Sequence, residues 1–151
     1  MTEPSTPIQD VQVVPLTCIG DERGAVLHML RCDFPGFDRF GEIYFSEVNP
    51  GTVKAWKRHQ RMTQRFAVPC GHIKLVIFDD RPRSPTRGRI AEIQLGRPDH
   101  YHLVILPPML WYGFQALGPQ PALLANCSNL PHDPSESESR GLDEVGFHYE
   151  W

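Results

Sequence analysis

The 151-residue chain has no long apolar run, no paired cysteine motif and no excess of basic charge. Each absence excludes a class of protein. No apolar stretch approaches the roughly 18 residues of a membrane span, so no membrane partner is expected. The four cysteines, at 18, 32, 70 and 127, never fall in C-x-x-C spacing, which argues against a zinc knuckle or a redox motif. A net charge of −3 and a pI near 6.1 lack the basic footprint that nucleic-acid binding needs. The first ten residues show no basic region followed by an apolar run. The expectation is a soluble cytoplasmic protein with free thiols. Long amphipathic helices are missing too.

What is present is punctuation. Fifteen prolines and twelve glycines cut the chain into short runs, which favours strands over helices. Residues 1–9 read as a mobile arm, and 10–151 as one domain long enough to bury a core. Strand candidates run through Val11–Pro15, Ala25–Arg31, Phe40–Val48, Thr52–His59 and Gln64–Pro69. They continue through His72–Asp79, Ile90–Leu95, Tyr101–Leu106, Leu110–Ala116 and Ala122–Ser128. "HIKLVIF" is the clearest of them, β-branched, aromatic and short. Residues 129–142 read as loop, and the closing "VGFHYEW" as aromatics that cap a core. About ten short strands with turn signals between them indicate an all-β sandwich or barrel.

The chemistry concentrates in "KAWKRHQRMTQ", residues 54–64. Strict strand alternation would turn Val53, Ala55, Lys57 and His59 to one face, and Lys54, Trp56 and Arg58 to the other. An apolar face that becomes ionisable suits a strand entering a ligand cavity. Three readings are open: an exposed basic strand end, part of a metal site, or an acid/base centre. The metal reading is weak. Lys57 stands where a first histidine ligand would be, and a protonated amine is a poor ligand. No Asp or Glu occurs in Gln60–Gln64, and Pro107–Phe114 holds no His. No metal is therefore expected. Acid/base chemistry remains, with His59 able to move a proton near neutrality and Lys57 able to steady an oxyanion. Tyr112 could lend a phenol, or could simply pack beside Trp111 and Phe114.

"DDRPRSPTRG" (79–88), preceded by "GHIKLVIF" and followed by "LPPMLWYGF" (106–114), resembles the dTDP-4-dehydrorhamnose 3,5-epimerase family. "GDERGAVLHMLRCDF" (20–34), "FGEIYFSEVN" (40–49), "GTVKAWKRH" and "DEVGFHYEW" are similar to further pieces of that family in the same order, covering about 15–151. The resemblance implies a cupin-type jelly roll, usually a homodimer, that acts on a nucleotide-linked 4-keto sugar without metal or cofactor. In that family a His base held by a carboxylate removes a proton next to the ketone. A Tyr returns one on the opposite face, and a Lys or similar donor steadies the enolate.

Residue by residue, the base His maps onto Lys57, with His59 two positions on. The acid Tyr maps near Ala125. The His and Gly of the Pro-x-Gly turn map onto Tyr112 and Met109. The resemblance thus implies a divergent member lacking the usual catalytic His and Tyr. The expected catalytic set is His59 as base, Lys57 on the enolate, Tyr112 as acid, and Asp143 or Glu144 orienting the His. Whether His59 or Lys57 takes the proton is left open. Lys54 and Arg65 are suited to a diphosphate, and Gln64, Asn126 and Trp111 join them as substrate-binding candidates. The alternatives are a catalytically altered cupin that binds a sugar or other small molecule, or an activity like the dTDP-sugar 3,4-ketoisomerases, which "KRHQRMTQ" also resembles.

Overall fold

The computed structural model describes residues 6–151. Among the described residues twelve strands form, labelled in chain order: β1 Gln12–Pro15, β2 Cys18–Asp21, β3 Gly24–Leu27, β4 Glu42–Val48, β5 Val53–His59 and β6 Gln64–Cys70. The remainder are β7 His72–Phe78, β8 Ile90–Gly96, β9 His102–Leu106, β10 Trp111–Leu117, β11 Ala122–Ser128 and β12 Ser137–Ser139. One five-stranded sheet has the order β1-β9-β6-β11-β4, and a second has the order β12-β5-β10-β7-β8. A separate hairpin pairs β2 with β3. This is the all-β, cupin-type jelly-roll sandwich.

Alternation explains the layers. Ile73, Leu75 and Ile77 of β7 face Phe66, Phe114 and Leu124 in the core between the sheets. Val76 of the same strand faces outward, yet it is buried with Trp56 and Trp111. That outer face is covered by the C-terminal segment. Phe147 stacks on Phe78 with ring centroids 3.9 Å apart and meets Trp56 edge-on at 4.8 Å. A strand covered on both faces reads as one unbroken apolar run, as "HIKLVIF" does. The closing aromatics therefore cap a secondary cluster behind the second sheet, not the main core.

The Ser-Pro-Thr turn is built on Asp79, which is fully buried. Its Oδ2 accepts from Ser84 Oγ at 2.6 Å and Thr86 Oγ1 at 2.7 Å, and Arg81 binds both carboxylate oxygens. Burial opposes the charge, but the bonds from Arg81, Ser84 and Thr86 hold this carboxyl far below the usual carboxylate range. Arg81 also reaches Gln9 O, and Gln9 N–H donates to Thr86 Oγ1.

Part of the expected arm, residues 1–5, lies outside the described residues. Residues 6–9 are docked, with Ile8 2% exposed in the core. Residues 129–142 are not all loop either. Asp133 caps a short 3-10 turn over Pro134–Glu136 by accepting from Ser135 N–H, and β12 follows it to pair with β5. Among the described residues no helix is long and apolar enough to cross a membrane.

Candidate active site

Strand β5 enters the site with a fault in its alternation. Lys57 is opposite Tyr112 on β10, but Gly113 is opposite Ala55 and Phe114 opposite Lys54. One extra residue on β5 is absorbed there as a bulge. The bulge turns Lys54 to the same side as Lys57 and Tyr112, against the strict alternation expected from the sequence. Gly113 permits the close approach, because a Cβ there would lie 2.4 Å from Ala55 Cβ. Trp56 and Arg58 stay on the outer face, where the Arg58 guanidinium lies 4.5 Å over the Trp111 ring.

At the end of β5, His59 is buried and so is its partner Glu136. Register sets this pair, since Ser137 of β12 is opposite His59 and leaves Glu136 just beyond it. The Glu136 carboxylate accepts from His59 Nδ1, and its Oε2 accepts from the backbone N–H of Arg61 at 3.1 Å and Met62 at 3.2 Å. A carboxylate accepting three N–H bonds is ionised. Burial would raise it, but the His59 and backbone bonds hold it below its ordinary value. Because Nδ1 carries the hydrogen, the neutral ring presents a lone pair at Nε2. Burial pulls the imidazole below its ordinary 6.5, and Glu136 offsets this in part.

His59 Nε2 faces Tyr112 Oη at 3.4 Å, with the two rings nearly parallel. Tyr112 Oη donates to Gln64 Oε1 at 3.1 Å, and Asn126 Nδ2 donates to the same oxygen at 3.1 Å. Burial, together with Tyr44 and Glu136, pushes the Tyr112 phenol well above its usual value, so it stays neutral. A cavity of about 360 Å³ opens beside this chain. Tyr112, Lys57, Lys54, Arg140, Ser46 and Tyr44 are among the residues lining it. His59 is not, and it reaches the cavity through Tyr112. Three cations around one mouth suit an anionic ligand such as a diphosphate.

Several expected site residues are elsewhere. Asp143 and Glu144 are exposed, and Glu144 accepts from its neighbour Gly141 N–H rather than from His59. The carboxylate on His59 is Glu136, which was read as loop. Arg65 is buried on the outer face of its sheet, because alternation turns Gln64 and Phe66 inward. It pairs with Asp38 and donates to Arg39 O, and it does not line the cavity. Trp111 lies in the cluster behind the second sheet and donates to Asp80 Oδ2 at 3.0 Å. Gln64 and Asn126 stand behind the cavity wall, bonded to Tyr112 and to each other. Met109 adopts φ +71°, the left-handed conformation that the turn glycine would hold, at a cost of about 1 kcal/mol. Among the described residues no three His, Cys, Asp or Glu side chains converge as a ligand set.

Glu136, Tyr44 and Arg140 were missed in the sequence. The one signal for Glu136 was its short Asp-Pro capping turn, followed by alternating serine and glutamate.

The family model for dTDP-4-dehydrorhamnose 3,5-epimerase matches residues 5–151. A solved dTDP sugar isomerase from Desulfovibrio desulfuricans G20 is 55% identical, with a TM-score of 0.90 over 93% of this chain and 89% of that one. A probable low-salt glycan biosynthesis epimerase of Haloferax volcanii is 34% identical over 138 residues, covering 89% of this chain and 87% of its own length. A spore coat polysaccharide biosynthesis protein of Bacillus subtilis is 25% identical over 146 residues, covering 94% and 96%. The expectation of a member lacking its catalytic His and Tyr is therefore corrected. His59 and Tyr112 are both present and are joined in one buried hydrogen-bonded chain.

Proposed function

The chain belongs to the dTDP-4-dehydrorhamnose 3,5-epimerase family and is an isomerase of a dTDP-linked 4-keto-6-deoxy sugar, and we propose that it moves the proton with His59, held by Glu136 and working through Tyr112. The observation that carries this division of labour is the buried chain Glu136–His59–Tyr112, which ends on a cavity rimmed by Lys54, Lys57 and Arg140.

The ketone acidifies the adjacent C–H. As that bond breaks, its electron pair enters the C–C bond and the carbonyl oxygen becomes an enolate. The Tyr112 hydroxyl turns its hydrogen from Gln64 Oε1 to His59 Nε2, and the substrate proton passes to Tyr112 Oη as the Tyr112 proton moves to His59 Nε2. The two movements are concerted, because a free phenolate in this buried position is costly. Glu136 balances the imidazolium that forms. Lys57, opposite Tyr112 in the sheet register, faces the enolate oxygen with its ammonium. Lys54 and Arg140 at the rim take the diphosphate, and the nucleoside extends over the mouth.

A homodimer belongs to the same reading. It is supported by β4, an edge strand whose Ile43 and Phe45 are exposed beside Phe40. A cytoplasmic location is supported by four free cysteines, three of them exposed.

The test is solvent deuterium incorporation into a dTDP-linked 4-keto-6-deoxy sugar. Wild-type protein should label the carbon next to the ketone, and His59→Ala should lower that rate by about 10³-fold. Undiminished labelling in the variant would remove His59 from the mechanism.

A further inference from the structure

Strand β5 carries its extra residue at one defined place. Ala55 and Lys57 both have partners on β10, opposite Gly113 and Tyr112, and Trp56 between them has none. Trp56 is therefore the bulged residue. On its other side its backbone N–H donates to Arg140 O and its C=O accepts from Arg140 N–H, both at 2.9 Å. The three rim cations are all registered on this one residue. Lys54 and Lys57 flank it in the chain, and Arg140 is its backbone partner.

A bulged residue has no partner across the ladder to mark its place, so the bulge can slip along its strand. Moved past Lys54, it would leave residues 54–57 in strict alternation and turn Lys54 out of the cavity. Moved past Lys57, it would turn Lys57 out instead.

The indole of Trp56 is on the outer face, 2% exposed, and the closing segment is built around it. Val145, Phe147, Tyr149 and Trp151 turn inward in strict alternation, while Gly146, His148 and Glu150 are exposed. Phe147 meets the indole at 4.8 Å, Trp151 at 5.1 Å and Tyr149 at 6.0 Å between ring centroids. Those rings are anchored on other strands of the same sheet. Phe147 stacks on Phe78 of β7. Tyr149 and Trp151 have their ring centroids 5.2 and 5.5 Å from Lys74 Nζ on β7, and Tyr149 Oη donates to Glu92 on β8. Phe147, Tyr149 and Trp151 do not line the cavity, so any effect they have on a ligand passes through Trp56.

We propose that Trp56 is a positioning residue: pinned by the C-terminal aromatics, it fixes the bulge in β5 and so keeps Lys54, Lys57 and Arg140 aimed into one cavity for a diphosphate-bearing ligand. The choice of ligand rests on the function proposed above. Lys54 shows the aim, since its Nζ reaches Glu47 O on β4, in the facing sheet, at 2.7 Å.

The experiment titrates the whole chain with dTDP and, separately, with inorganic pyrophosphate, and follows urea unfolding of the same samples. Trp56→Leu keeps an apolar side chain but loses the ring contacts. It should bind both anions about tenfold more weakly per folded molecule. The amide hydrogens of Trp56 and Arg140 should then exchange faster while those of β7 keep their wild-type protection. Trp56→Phe keeps a ring and should stay within about threefold of wild type. Phe147→Ala unpins the indole from the far side and should weaken binding in the same direction. It is read by the same criteria should Trp56→Leu fail to fold. Affinity per folded molecule within about twofold of wild type overturns the proposal, even where stability falls, because that marks a core residue and nothing more. Wild-type protein that binds pyrophosphate but not dTDP overturns the proposed function, and the pyrophosphate series still decides the role of Trp56. Wild-type protein that binds neither overturns both.

Discussion

Asp79 and Glu136 are the two buried carboxylates among the described residues, and they are buried for different ends. Asp79 collects its partners from its own turn: Arg81, Ser84 and Thr86 lie two, five and seven residues on. Glu136 collects His59, Arg61 and Met62 from 74 to 77 residues away. The first is a clamp that closes a loop and ties down residues 7–10. The second orients an imidazole whose other nitrogen faces a cavity. Both are held below their ordinary values by hydrogen bonds that outweigh burial. A buried, fully bonded carboxylate is thus not in itself a sign of catalysis. What distinguishes Glu136 is that one of its partners can still change its proton count.

Substitution should separate the two. Glu136→Gln should lower kcat by about 10²- to 10³-fold, because the imidazole loses its fixed tautomer and the charge that balances imidazolium. Urea unfolding should move little by comparison. Asp79→Asn should do the opposite. Removing one charge of a buried pair is expected to cost about 3 kcal/mol in the unfolding free energy measured in urea, while activity per folded molecule is kept. Equal loss of activity in both variants would break the contrast.

Acid sharpens it further. The Asp79 and Glu136 carboxyls, lowered on folding, contribute stability that is full above their ordinary 3.8 and 4.5 and is lost as pH falls through their folded values. His59 is also lowered, so the unfolded chain binds more protons just below 6.5, and stability rises with pH in that window. With neutral His59 as the proposed base, the acid limb of kcat/KM should lie below pH 6.5. In Glu136→Gln it should move lower still, because desolvation then acts without its counterweight. In Asp79→Asn it should not move. The smallest effect is Thr86→Val, which removes one charge-assisted bond to Asp79 at a cost of about 1.5 kcal/mol in the unfolding free energy and leaves the pH profile in place.

The same distinction governs what could be read from the chain. The strands of the core, such as "HIKLVIF" and "YHLVIL", were legible because apolar alternation and turn residues are local. Asp79 was legible as a motif for that reason. His59, Lys57 and Tyr112 were legible as residue types near one another on predicted strands. Their pairing was not, since it depends on register between β5 and β10. Asp143 and Glu144 looked nearer to a carboxylate role than Glu136, because β12 is only three residues long and gains its place from β5. Arg65 looked like a phosphate ligand until alternation turned it under Asp38.

Local chemistry by itself determined the all-β class, the turn built on Asp79, and a basic, histidine-bearing strand at residues 54–59. Tertiary structure alone decided that a bulge brings Lys54 round beside Lys57, that Glu136 holds His59, and that Tyr44 and Tyr112 face one cavity from different sheets. The reason is physical. Propensity and turn chemistry act over a few residues, whereas strand register is settled by burial across the whole sandwich. A slip of one position exchanges every side chain between the cavity and the outside.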